Sequence, residues 1–258
     1  MCLIVFAYKV HPDYPLILAG NRDEFHDRPA MSLFKWNTNP PIIAGKDVKA
    51  GGTWLGVSEN GKVAALTNYR DLNNIKKNRP SRGEIIPKFL ASDENPDYLL
   101  QRLDKKSDLY NGFNLIAGTT ETLYYLSNHG HSVEPVQPGI HVISNAALNT
   151  PWPKAKWAVD RFKSILDNGS FDDDSIFEML RNSDTYPIEL LPFTGLSDEM
   201  EIAVSSVFIL TDNYGTRSSS LITINNNHQL SFSENVYRPG TKTVESQKNI
   251  SMQLHPDL

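Results

Sequence analysis

The stretch MCLIVFAYKV–HPDYP–LILAGNRDE (1–24) opens the chain, and its apolar pattern decides the fold. LIVFAYKV (3–10) and LILAGNRDE (16–24) are rich in β-formers and are separated by a proline-containing turn, which predicts a hairpin. The first strand is apolar on both faces, with Ile4 and Phe6 on one and Leu3, Val5 and Ala7 on the other. A strand of that kind is covered on both sides. Helical patterns cluster in the middle of the chain, between blocks of hairpins, so the sheets are expected to be mainly antiparallel. Two such sheets packed together, each with helices on its outer face, satisfy both observations. The predicted fold is α+β, a four-layer α-β-β-α sandwich.

The remaining elements fit this frame. TWLGVS (53–58) and KVAALTNYR (62–70) flank Glu59-Asn60-Gly61, and Asn-Gly is a strong hairpin signal. Ser81-x-x-Glu84 has the form of a capping box ahead of Ile85, Ile86, Phe89 and Leu90, with Pro87 arguing for a start near Gly83. Asn95-Pro96 reads as N-cap and first helical position of a helix through Leu103. Strands are expected at 114–119, 123–128 and 141–145. Two helices follow, one through Trp157, Ala158 and Phe162 ending at Gly169, the other starting in Asp172-Asp173-Asp174. VSSVFILT (204–211), SSLITIN (219–225) and QLSFSENVY (229–237) read as strands, and the polar tail after Gly240 as loosely held. No repeat or low-complexity linker divides residues 1–258, so one domain is expected.

Composition narrows the function. The chain has 258 residues, 40% of them hydrophobic, and a net charge of −5. No long basic run offers a nucleic-acid surface. No segment approaches the roughly 20 apolar residues that span a bilayer, and the apolar run after Met1 is too short for a signal peptide. A single cysteine forms no intrachain disulfide and suits a reducing compartment, so a cytoplasmic location is expected. The histidines show no metal-ligand spacing, and no metal site is expected. The absence of C-x-x-C-H excludes covalent haem attachment of that type.

That cysteine is Cys2, directly after the initiator methionine. Removal of Met1 leaves a thiol and an α-amine on one residue, with reference pKa values of about 8.5 and about 8. A nucleophile and its base then share one backbone unit. A simple hairpin pairing Lys9 with Ile17 sets Cys2 opposite Glu24 and puts Arg22 and Glu24 on its face. A slip of one residue substitutes Asn21 and Asp23. In either case a carboxylate ends near the thiol, as it would equally in an ordinary solvated strand end with a local ion pair. Asn68 and Asn145 each end a strand, where a carboxamide serves either as a turn former or as a donor to a developing oxyanion. Arg217, in Tyr214-Gly215-Thr216-Arg217, is a second cation at a strand entry. Gly51-Gly52-Thr53-Trp54-Leu55-Gly56 lacks the lysine of a phosphate loop and reads as close backbone approach beside a pocket. Trp54, Tyr69 and Trp36 supply aromatic surface.

The ordered set MCLIVFAYKV, GNRDEF, GGTWLGVSENGKVAALTNYR, SRGE, ISNAALNTPWPK and YGTRSS resembles the NRDE family, also called the transport and Golgi organisation protein 2 family, from Cys2 to about Ser220. The resemblance implies an N-terminal nucleophile (Ntn) hydrolase fold, distantly similar to choloylglycine and penicillin V acylases. It implies Cys2 as nucleophile, with Arg22, Asp23, Asn68, Asn145 and Arg217 matching the rest of the acylase set; Asn21, Glu24, Trp54 and Tyr69 are the expected substrate-side residues. Arg22 and Asp23 are adjacent here, whereas the acylase pattern separates its Arg and Asp, so Asp23 and Glu24 both remain candidates for the acid facing the amine. Two functions follow as expectations. One is a cysteine amidohydrolase or thioesterase for a small acyl compound, requiring no cofactor. The other is a non-catalytic carrier of haem, lipid or acyl-CoA, in keeping with the family's links to secretory and Golgi organisation, lipid metabolism and haem trafficking.

Overall fold

The computed structural model describes residues 2–167 and 172–256. Two antiparallel sheets stack face to face. One has six strands in the order β10-β1-β2-β11-β12-β13: Gly139–Ile143, Cys2–Tyr8, Leu16–Phe25, Tyr214–Ile224, Gln229–Tyr237 and Val244–Gln253. The other runs β3 to β9 in sequence order: Ala30–Trp36, Ile42–Asp47, Leu55–Ser58, Val63–Asn68, Phe113–Gly118, Leu123–Ser127 and His131–Pro135. Helices α1 (Ile85–Leu90) and α2 (Pro96–Asp104) cover the seven-stranded sheet, and α3 (Pro153–Leu166) and α4 (Asp173–Leu180) cover the six-stranded one. A short α5 spans Asp198–Ala203.

Three apolar clusters hold the four layers together, as the two-faced apolar strands require. Ile4, Phe6, Leu16 and Leu18 meet Ile43, Val57, Val63 and Ile116 between the sheets. Leu3, Val5, Ala7, Ile17 and Ala19 pack outward against Phe162, Ile176 and Leu180 of α3 and α4. Ile42, Ala64 and Leu115 meet Ile86, Phe89 and Leu100 on the far side. Fully burying each large apolar side chain contributes about 1.5–3 kcal/mol, so alternation on β1 and β2 is strongly enforced.

Several local expectations are revised. The β1–β2 hairpin pairs Tyr8 with Leu16 and Cys2 with Arg22, two residues away from the simple pairing. Lys9 has φ 53° and leaves the strand, so residues 9–15 form a longer loop, while Tyr8 and Leu16 stay in the core. The face of Cys2 is nevertheless the one expected with Arg22 and Glu24, because a shift of two preserves alternation. Residues 204–211 are not a strand. The Ser205 and Ser206 hydroxyls donate to the Ile202 and Phe208 carbonyls, closing local turns that bury Val207 and Phe208. The tail after Gly240 forms β13, paired along β12. Ser81 makes no capping bond; a 3₁₀ turn over Arg82–Glu84 leads into α1, with Pro87 in its first turn, where no amide donor is needed. Asn95 and Asp172 cap α2 and α4 through Asp97 N and Ser175 N, as read. Gly169 lies outside the described residues.

Candidate active site

The antiparallel pairing brings sequence-distant strand ends to one end of the sandwich. Cys2 begins β1, Arg22 and Glu24 lie near the end of β2, Arg217 and Ser218 lie within the first half of β11, and Asn68 ends β6 on the facing sheet. Cys2, Arg22, Asp23, Glu24, Trp54, Asn68 and Arg217 line one inter-sheet cavity of about 190 Å³. Arg217 is the extra residue of a β-bulge, since Thr216 pairs with Asp23 and Ser218 with Arg22. A bulge re-aims a side chain in this way. Gly52 makes the close backbone approach: a Cβ there would lie 2.2 Å from the Gly83 carbonyl oxygen, and Thr53 N donates to that oxygen at 3.0 Å, while Gly51 has open space around it and a φ of 76°. This crossing of two loops sets Trp54 and Arg82 against the cavity.

Cys2 is buried, and burial pushes its thiol pKa up. The negative charge of Asp23 raises it further, while Arg22 and the Asp23 backbone N–H oppose without prevailing. The resting sulfur is therefore a thiol that needs a base before it attacks. Arg22 stands 3.9 Å from Glu24 and 3.8 Å from Asp47, and Arg28 donates to Asp47 at 2.6 Å. Burial pushes the Asp47 carboxyl upward, but the bond from Arg28, the Ala50 backbone N–H and the charges of Arg28 and Arg22 together outweigh it and leave the pKa below its ordinary value. Asp47 and Arg28 were not candidates in the sequence; they are placed by β4 and the β2–β3 turn, which no local pattern connects to Cys2.

Alternation separates the two acids. Glu24 is on the inter-sheet side. Asp23 faces the helices, accepts from Thr216 Oγ1 at 2.7 Å, and has its pKa raised by burial against the opposing pull of Lys154, Thr216 and Arg22. Asn21 shares the Asp23 side and lines neither cavity described here. Its Nδ2 donates to the Leu180 and Val207 carbonyls at 2.8 and 2.9 Å, and its Oδ1 accepts from Ser219 at 2.6 Å. It ties β2 to the end of α4. Lys154, on α3, is buried and donates to the Val204 carbonyl at 2.8 Å.

The two asparagines also differ. Asn145 Nδ2 donates to the Asn68 carbonyl at 2.8 Å, and its Oδ1 accepts from Arg70 at 3.3 Å. Arg70 is in turn locked to Glu201 of α5 at 3.0 Å with both side chains almost wholly buried. The Asn68 carboxamide has no hydrogen-bond partner among the described residues. It lines the Cys2 cavity and also a larger one of about 590 Å³, walled by Tyr69, Leu72, Ile75, Tyr110, Leu196 and Met200. Asn145 and Glu24 line the larger cavity as well. Tyr69 stacks on His129 with centroids 4.0 Å apart, and His129 meets Asp71 at 2.8 Å. Trp36 is in the outer core, bonded to the Ala44 carbonyl, and lines neither cavity. Among the described residues no cluster of His, Cys, Asp and Glu is arranged for a metal ion, and no helix is long and apolar enough to cross a membrane.

A four-layer sandwich of two antiparallel sheets, with a cysteine at the start of its first strand facing an inter-sheet cavity, has the fold of the Ntn hydrolases. Two variants of the conjugated bile acid hydrolase from Clostridium perfringens superpose with TM-scores of 0.55 and 0.56, each at 9% identity and covering 98% of this chain and 92% of the other. The chain belongs to the Transport and Golgi organisation 2 family, which matches residues 1–239. The Transport and Golgi organization protein 2 homolog of Bos taurus is 34% identical over 256 residues, and that of Homo sapiens 33% over 260, each match covering 91% of this chain and 92% of the relative.

Proposed function

We propose that this protein is a cysteine Ntn hydrolase that cleaves an amide or thioester of a small acyl compound. The carrying observation is that Cys2, Arg22 and an unengaged Asn68 carboxamide line one cavity. Removal of Met1 frees the Cys2 α-amine. That amine takes the thiol proton, Sγ attacks the acyl carbon, and the carbonyl oxygen becomes an oxyanion. Asn68 Nδ2–H donates to it; Asn145, with its carboxamide already engaged on both sides, acts by holding the Asn68 backbone. Collapse breaks the bond to the leaving nitrogen or sulfur, which takes the proton back from the α-ammonium. Water, deprotonated by the same amine, then releases the acid from the thioester and restores the thiol. Arg22 favours thiolate, and Asp23 or Glu24 orients the ammonium.

Incubation of the processed protein with an activated acyl ester tests this by intact mass. One acyl group is expected on wild type and none on Cys2→Ala, which retains its fold. Equal labelling of the two proteins would end the reading.

A second reading is favoured by the larger cavity, whose aromatic and aliphatic wall suits a carrier of lipid, acyl-CoA or haem. Titration with acyl-CoA and with haem tests it, and the absence of saturable binding by either removes it.

A further inference from the structure

Of the four arginines that line the Cys2 cavity, two are neutralised by acids and two are not. Arg22 and Arg28 share Glu24 and Asp47, at distances between 2.6 and 3.9 Å. Among the described residues neither Arg82 nor Arg217 has a carboxylate within 4.0 Å. Arg217 gives one terminal nitrogen to the Phe25 and His26 carbonyls at 3.1 and 2.7 Å. Arg82 gives one to the Gly112 carbonyl at 2.8 Å. Arg82 is the cation that lines both the Cys2 cavity and the larger apolar one, beside Asn68, which also lines both.

A partly buried guanidinium held by one backbone carbonyl is an incompletely compensated charge. Its remaining donors form a planar fork that matches carboxylate, phosphate or sulfonate. Glu24 is close enough for its charge to be felt at Arg82, but its carboxylate is turned to Arg22 and Arg28. The larger cavity beyond Arg82 carries an apolar stretch, Leu72, Ile75, Leu196 and Met200, alongside the acids Asp71 and Asp108 and the cations Arg70 and Lys76. Polar recognition and apolar burial therefore meet at one side chain.

We propose that Arg82 forms an anion subsite at the junction of the two cavities, and that the compound bound there is an amphiphile with an apolar acyl body in the larger cavity and an anionic group on the Arg82 guanidinium. The proposal rests on the reading of this cavity pair as the ligand site, and it requires no turnover. In the sequence Arg82 sits in Ser81-Arg82-Gly83-Glu84, which has the form of a helix start and carries no sign of a ligand site.

The test is calorimetric titration of Cys2→Ala protein with N-dodecanoylglycine and with its uncharged analogue N-dodecanoylglycinamide at neutral pH. The glycine compound is expected to bind at least about ten-fold more tightly, a difference of about 1.4 kcal/mol. Arg82→Gln is expected to reduce that preference to less than about two-fold and to leave the affinity for the neutral amide unchanged. Arg82→Lys, which keeps the charge without the fork, should retain part of the preference. Equal affinities in the Arg82-containing protein, no binding of either probe, or a preference that survives Arg82→Gln would overturn the subsite. The comparison of the two probes needs no Arg82 variant, so a folding failure in Arg82→Gln leaves the test intact. Acylation of Cys2 by an activated ester in a protein with no anion preference would retain the hydrolase and reject the subsite, so the two failures are distinguishable.

Discussion

Two polar regions flank the end of β2, and they are built for different purposes. On the inter-sheet side, Cys2, Arg22, Glu24 and Asn68 border a cavity, and the Asn68 carboxamide has no hydrogen-bond partner among the described residues. Away from that cavity, Asn21, Lys154, Arg70 and Glu201 are buried and bonded to named carbonyls, carboxylates or carboxamides, Arg70 at the border of the larger cavity. The difference teaches that charge density alone does not mark the reactive region. What separates them is how far donors and acceptors are already spent: of the Arg70 nitrogens only Nε lacks a hydrogen-bond partner among the described residues. Substitutions on the open side should slow chemistry with little loss of stability, and those on the sealed side should do the reverse.

The strongest attempt to break that contrast is Glu201→Ala. It leaves Arg70 buried without its carboxylate, and breaking such a pair costs about 3–5 kcal/mol. Urea denaturation is expected to show this loss, and an unchanged midpoint would remove the sealed network from the account. Next, Asn68→Ala is expected to slow acylation of Cys2 by about 10²–10³-fold, the usual effect of losing one oxyanion donor, with stability almost unchanged. Asn145→Ala should show the opposite balance, measurable as labelling rate against denaturation midpoint.

Lys154 sharpens the comparison through pH. Burial lowers its pKa from 10.5 to about 8. Between those values the unfolded chain holds the proton and the folded chain has lost it, so stability rises with pH from about 8 to about 10.5 and is flat, at its lower level, below about 8. At about 1.4 kcal/mol per unit, the change relative to Lys154→Met is on the order of 3 kcal/mol. Denaturation of both proteins at several pH values reads it, and parallel curves would contradict it. The smallest effect is expected at Asn21→Ala, about 1–3 kcal/mol from the carbonyls it strands, with the labelling rate of Cys2 unchanged.

Much of this was legible in the sequence, and the exceptions have physical causes. Ile4 against Leu3 and Val5 showed a strand covered on both faces, which leads directly to four layers. Alternation put Arg22 and Glu24 on the face of Cys2 even though the loop was two residues longer than the simple hairpin, because parity survives an even shift. The exchange of roles between Asn68 and Asn145 was not legible, since both are strand-end asparagines. Their difference lies in Arg70 and Glu201, which are 131 residues apart. Arg82, Arg28 and Asp47 were likewise invisible as site residues, because a loop crossing, the β2–β3 turn and the end of β4 bring them in rather than spacing. Residues 204–211 have strand composition, yet serine hydroxyls satisfy the local carbonyls and the apolar residues fill a turn under α4. The polar tail pairs as an edge strand because β12 offers it a backbone ladder and because its apolar residues Ile250, Met252 and Leu254 reach the inter-sheet core.

The central claim is that Cys2 becomes a chain terminus whose own amine activates its thiol. Intact mass of the purified protein, before and after exposure to an activated acyl ester, tests it most directly. The expected result is a chain lacking Met1 that gains one acyl group at Cys2. A chain that retains Met1 and still acylates Cys2 at the same rate as the processed form would contradict it.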